Sequence, residues 1–350
     1  MKMAKFIKFE LKRAVTSKTF LSLFVGLVMT ALAISVYCAA NGDDPSAEKQ
    51  VLYGVAYYET FEELSQQIET TKAALKAEEN ELTEGIANGS LNDLQIAAAE
   101  RNIQYLETNI SVMTVLSENS VPFDHATAYR NFNVKNGASV AITILSISWS
   151  VVGLFAALKI SCNIPSELKE GQAKLSFVLP VGKTRYALAR YAADTLKFVL
   201  LYAVLAIIVL LCSVLFFEPD GYYTIAATGS AALLLSTPAA VLLSLGFGLF
   251  YLIACSAIGY IVSLLIHNNV AALPVTAFVC LSGYLIEAVD RGIYGTITFS
   301  KYLLPCTLNI DKVFYAAETN PVWVAVLITL AYLIPAFIIS LMKFKQSDLN

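Results

Sequence analysis

The sequence predicts an all-α membrane protein with six transmembrane helices, an N-terminal interfacial elbow helix and an extracellular α-helical coiled-coil hairpin between the first two spans. Three observations predict it. Mean hydropathy is +0.63, and 57% of residues are apolar against 15% charged, where soluble domains carry about 25% charged residues. Six runs hold no Asp, Glu, Lys, Arg or His: 19–40, 138–158, 198–217, 238–266, 270–286 and 322–342. Each is close to or above the roughly 20 residues that cross a hydrocarbon core as a helix. Charge is also unevenly placed. If both termini are cytoplasmic, 15 of the 24 Lys/Arg but only five of the 27 Asp/Glu fall on the inner side, as the positive-inside rule requires of a multi-pass chain in a bacterial cytoplasmic (plasma) membrane.

The elements follow in order. In residues 1–18, Lys5, Lys8 and Lys12 share one helical stripe, with Arg13 close by, while Ala4, Ile7, Leu11 and Ala14 share another. That pattern suits an elbow helix half sunk among anionic headgroups. The first span is 19–40. Its length exceeds a signal-peptide core, and Tyr37 before Cys38 suits no cleavage site, so removal is not expected. Residues 41–137 form the soluble insert. Phe61, Leu64, Ile68, Thr71, Leu75, Glu78 and Leu82 keep a three-then-four spacing, and Ile96, Ala99, Ile103, Leu106, Ile110 and Met113 repeat it after Ala87-Asn88-Gly89-Ser90. Such a pattern is a helical hairpin with a coiled-coil seam.

The second span, 138–158, leads into a cytoplasmic loop at 159–197, and the third span is 198–217. Residues 222–237 are expected along the outer interface, and Pro238 opens the fourth span at 238–266. His267-Asn268-Asn269 turns the chain into a fifth span at 270–286. Residues 287–321 are expected to be extracellular or re-entrant. The sixth span, 322–342, ends in a cytoplasmic tail at 343–350.

Little in the chain points to catalysis. There is no G-x-S-x-G, H-E-x-x-H or paired-cysteine motif, and His125 and His267 lack a second ligand at metal spacing. The six cysteines read as small apolar residues. Gly182-Lys183-Thr184 looks like the end of a phosphate loop, but Phe177 stands where that loop needs its first glycine. No cofactor is expected in this chain. Ion-coupled carriers keep ionisable groups at membrane depth, whereas Lys159, Asp194, Lys197 and Glu287 fall at predicted span ends. An outside energy source is therefore expected.

The charged loop carries the most informative pattern. Glu167, Leu168, Glu170-Gly171 and Leu175, then Leu179-Pro180-Val181, Arg185 and Arg190 lead straight into a span. This resembles the signature between the second and third spans of type-2 ABC exporter permeases (ABC-2-like). The family's usual threonine after the glycine is replaced here by Gln172. A basic elbow with Glu10 and Arg13, a large outer loop, six spans and the closing Phe344-Lys345-Gln346-Ser347-Asp348-Leu349 are similar to the family as well.

The resemblance implies a permease subunit of an ABC transporter, an exporter that moves an amphipathic peptide, drug or lipid, with multidrug or antimicrobial peptide efflux as the leading case. Glu167, Leu168, Glu170, Gly171, Leu175 and Pro180 would belong to an ATPase-coupling element. The implied partners are two copies of an ABC ATPase subunit, which would hold the ATP and Mg, and a second permease subunit making a homodimer or heterodimer. Membrane lipid surrounds the chain, and no nucleic acid is expected as a partner. A different class of function, a non-transport sensor or tether acting through its extracellular coiled coil, stays open at this point.

Overall fold

The computed structural model describes residues 18–41, 52–129, 137–169, 183–217, 223–228, 231–294, 297–314 and 319–346. Among them six helices are long and apolar enough to cross a membrane, which makes this a multi-pass membrane protein. They are α1 (Lys18–Asn41), α4 (Gly137–Ser161), α6 (Lys183–Phe216), α7 (Thr237–Leu265), α8 (Asn269–Tyr294) and α10 (Val322–Gln346). Pro238 occupies the first turn of α7, where a missing N–H costs nothing. The turn between α7 and α8 falls at Ile266–Asn268, with Asn268 Oδ1 accepting from the Val270 N–H at 2.9 Å.

Two parallel helices, α4 and α7, form the centre of the bundle. Close approach explains the pairing: a Cβ on Gly259 would stand 2.3 Å from the Ala157 carbonyl oxygen, and one on Gly248 would stand 2.4 Å from the Trp149 ring. Small residues thus bring two backbones together where lipid offers no hydrophobic drive. Trp149 stacks on Tyr251 at 6.2 Å between ring centroids. Helix α6 packs on both central helices and on α1, while α10 packs on α6 and α7.

A small sheet caps the end where α4 and α7 begin, so the fold is not all-α. Strands β1 (Ala126–Ala128), β2 (Tyr223–Thr228) and β3 (Ala231–Ser236) stand in the order β1-β2-β3. β1 runs parallel to β2, pairing Ala126 with Tyr223, and β3 runs antiparallel to β2, pairing Thr228 with Ala231. Residues 222–237, expected along the interface, are therefore largely a hairpin. The physical reason is local: Gly229-Ser230 separates two β-tolerant runs by two residues, the spacing that closes a tight hairpin.

Above the sheet stand α2 (Phe61–Ala87) and α3 (Asp93–Glu118), which pack side by side. Leu64 is buried, and Ile68, Thr71, Leu75, Glu78 and Leu82 are partly buried on an otherwise largely exposed α2. Asn92 caps α3 reciprocally with Gln95, both bonds at 2.9 Å. Gly89 reverses the chain at φ +61°. At its base the pair shares a second core, separate from the membrane core, with Val112, Met113 and Leu116 against Phe123, Ala126 and Ile225.

The segment after α8 folds back onto the bundle, where Asp311 meets Ser146 of α4. It holds 3₁₀ turns at Ser300–Tyr302 and Ile310–Phe314 flanking the short helix α9 (Leu304–Thr307). Asp290 Oδ2 accepts from the N–H groups of Thr298, Phe299 and Ser300 and from Ser300 Oγ, at 2.6 to 3.0 Å. Glu287 pairs with Lys312 and Arg291. The Asp290 bonds satisfy three backbone N–H groups that a broken helix would otherwise leave unpaired. Helix α8 consequently runs to Tyr294, past the predicted 286.

Cys38, Cys212, Cys255 and Cys280 are buried.

Candidate functional site

The end of the bundle opposite the sheet is organised around one carboxylate. Pro165 cannot donate to the Ser161 carbonyl, so α4 stops at Ser161 and the chain re-forms as the short helix α5 (Asn163–Lys169). Across from it, α6 begins at Lys183, well before the predicted third span at 198, and the predicted loop 159–197 is correspondingly shortened. The sequence places Arg190, Asp194 and Lys197 at i, i+4 and i+7 of that helix. Charges on one helical face can neutralise one another, which lets the helix extend through them.

Asp194 is 2% exposed. Its Oδ2 lies 3.1 Å from Arg190 Nε and accepts from Asn163 Nδ2 at 2.7 Å; its Oδ1 accepts from Lys197 Nζ at 2.6 Å. Asn163 belongs to α5, so this carboxylate ties the short helix to α6. Two further bonds tie it elsewhere. The Ile164 N–H donates to Ser263 Oγ of α7 at 3.2 Å, and Asn269 Nδ2 of α8 donates to Ser166 Oγ at 2.9 Å. Tyr260 of α7 donates to the Ala187 carbonyl and packs on Tyr191 and Phe337. Helix α5 is thereby fastened to three spans, α6, α7 and α8.

Of the residues the sequence singled out for coupling, Glu167 and Leu168 lie on the backbone of α5. Glu170, Gly171, Leu175 and Pro180 fall outside the described residues, as do Lys5, Lys8, Lys12 and Arg13 of the expected elbow. The structure adds Asn163, Ser166, Asp194, Ser263 and Asn269. Only Asp194 left a trace in the sequence, through its spacing to Arg190 and Lys197; the others are ordinary polar residues at span ends.

Asp194, expected near a span end, lies inside the continuous helix α6, buried and paired. Asp311, from the 3₁₀ turn Ile310–Phe314, is 1% exposed and accepts from Ser146 Oγ of α4 at 3.2 Å. Folding back of residues 297–314 puts a carboxyl group where no apolar run contained one.

Among the described residues, no group of three or more His, Cys, Asp or Glu side chains is placed to hold a metal ion. The geometry is that of a polytopic membrane protein with a short polar helix bonded to three long helices at one end and a pair of packed helices at the other. Residues 105–350, more than two thirds of the chain, match the family described as protein of unknown function (DUF2705), and the chain belongs to that family. The match covers all of the bundle after α1 and begins partway along α3. No curated protein matches the chain.

Proposed function

We propose that the chain is the membrane-spanning permease subunit of an ATP-driven ABC exporter, dimerising and coupling to separate ATPase subunits to move an amphipathic peptide, drug or lipid. The observation that carries this reading is the attachment of α5. A partner that grips Glu167 to Leu175 pulls on a helix bonded to α6 through Asp194, to α7 through Ser263 and to α8 through Asn269. Force on a loop becomes useful only if the loop is rigidly joined to the elements that must move. In this reading the α5 end and both termini face the cytoplasm, residues 1–18 form the elbow, the α2–α3 pair is extracellular, and ATP with Mg sits in the partner.

Mild-detergent purification from native membranes, with identification of co-eluting proteins, tests it. An ATPase subunit is expected in the eluate from the wild type and is expected to be lost with Glu170→Lys. An eluate without any ATPase would instead favour a sensor or tether that works through the hairpin domain.

A further inference from the structure

The base of the α2–α3 pair holds a groove that the coupling scheme leaves unused. Its volume is about 510 Å³, within the range of about 300–1,000 Å³ that takes small ligands. Glu63, Gln66, Gln67, Thr70 and Thr71 of α2 line it, and their spacing of i, i+3, i+4, i+7 and i+8 sets them on one helical face. A helix that buries such a face makes it apolar; here every position is polar. Asn109 and Met113 of α3, 6% and 2% exposed, line the groove as well, and Gly54, Val55 and Ala56 complete it.

The turn at that rim is fixed in place. Tyr53 stands at φ 51° and Gly54 at φ 79°. A left-handed tyrosine costs about 1–3 kcal/mol and persists only where contacts hold it. The Tyr53 hydroxyl donates to the Phe314 carbonyl at 2.6 Å, and the Asn109 carboxamide donates to the Tyr53 carbonyl. The groove is therefore preformed, which lowers the ordering cost of filling it.

The lining also defines what fits. Gln66, without a side-chain partner among the described residues, offers both a donor and an acceptor. The Thr70 and Thr71 hydroxyls donate to the Gln66 and Gln67 carbonyls and keep lone pairs to accept with. The exposed Ala56 backbone has no internal hydrogen bond among the described residues. Mixed donors and acceptors beside a free backbone edge match an extended peptide, which carries one of each at every residue. Thr71 lies eight residues beyond Glu63, about 12 Å along the helix, the length of about three or four extended residues. Charge sets the sign. Glu63 lines the groove and, among the described residues, no Lys, Arg or His does. Residues 52–129 hold 13 Asp/Glu against three Lys/Arg, a field that concentrates cations.

We propose that this groove binds a short cationic peptide in extended conformation, with Glu63 against one of its positive groups and Gln66 and Ala56 bonded to its backbone. The proposal stands on the groove and does not rest on the exporter reading.

Fluorescence anisotropy of a labelled Lys-Ala-Lys-Ala peptide with the purified full chain in detergent tests it. Saturable binding is expected. Glu-Ala-Glu-Ala should not compete, and spermidine, which has the charge but no peptide backbone, should compete far more weakly than unlabelled Lys-Ala-Lys-Ala. Glu63→Gln should weaken binding about tenfold through loss of a charge-assisted hydrogen bond. Gln66→Trp, which fills the groove from an exposed position, should abolish it, and Glu79→Gln, exposed farther along α2, should leave it unchanged. Absence of saturable binding would overturn the proposal, as would equal competition by spermidine or equal losses in Glu63→Gln and Glu79→Gln. Should Gln66→Trp not fold, wild-type affinity in Glu63→Gln would overturn it alone.

Discussion

The two ends of this bundle are joined by opposite means. At the sheet end, segments far apart in sequence are joined mainly through backbone: β1 pairs with β2 across two intervening spans, and Tyr53 Oη lies within hydrogen-bond distance of the Ile225 and Phe314 carbonyls, at 3.0 and 2.6 Å. At the α5 end the joints are side chains, gathered around Asp194 and bracketed by Ser263 and Asn269. Backbone pairing distributes its strength over many bonds and tolerates single substitutions. A joint built on one buried carboxylate concentrates its strength, and so can fail, or be moved, at a single point.

Substitution at that point should have the largest effect. Asp194→Ala leaves Arg190 and Lys197 without their shared counter-charge in a buried setting, a loss of about 3–5 kcal/mol. Denaturant or thermal melts in detergent should show it, and hydrogen exchange should place the earliest opening at α5. A melt within experimental error of wild type would remove the distinction between the two ends.

Substitution between the ends should act on both. Gly259→Leu drives a side chain into the Ala157 backbone, and overpacking of this kind costs about 1–3 kcal/mol. Separation of α4 from α7 should then loosen α5 and sheet alike, measurable as increased exchange at both sites. Loosening at one end only would show that the central pair does not connect them.

Alkaline pH should single out the hairpin base. Burial, and then the nearby Asp124 charge, push the Tyr58 hydroxyl up from 10.0 to about 12, and that hydroxyl donates to the Val121 carbonyl at 2.6 Å. An acid whose folded pKa is raised contributes its full stabilisation below the unfolded value and loses it as pH climbs through the folded one. The hairpin base should therefore weaken from about pH 10 toward pH 12, and Tyr58→Phe should flatten that part of the profile. An unaltered profile in Tyr58→Phe would contradict the assignment.

The smallest effect should come from Asn92→Ala. It removes a capping box at the tip of the hairpin, worth about 1 kcal/mol, and should fray the start of α3, visible in local exchange, without changing the melting of the bundle. A shift in bundle melting would mean that the two cores are coupled more tightly than their separation suggests.

How legible each region was follows from the range of its interactions. The six spans could be read because hydropathy is a property of consecutive residues, and Pro238 and His267–Asn269 marked boundaries that the structure keeps. The seam of the α2–α3 pair was legible because its residues recur at helical period on one face. The hairpin β2–β3 left a signal in Gly229-Ser230 that apolar content concealed, since Thr-Ile-Ala-Ala-Thr and Ala-Ala-Leu-Leu-Leu read equally well as helix. Of the candidate site, the motif at 167–180 was visible, but the joint beneath it was not: Asn163, Ser263 and Asn269 are unremarkable polar residues until folding sets them together.

By itself the sequence determined the solvent this protein lives in and the six helices, among the described residues, that are long and apolar enough to cross it, because both depend on local apolar content and on where charge interrupts it. It also determined the paired arm, through periodicity. Only the tertiary structure decided what becomes of the charges. Arg190, Asp194 and Lys197 stay inside a helix because they neutralise one another on one face, and Asp311 enters the bundle because a broken segment, capped by Asp290, folds back across α4. The reason is that burial of a charge is set by partners brought from elsewhere in the chain, which no local pattern records.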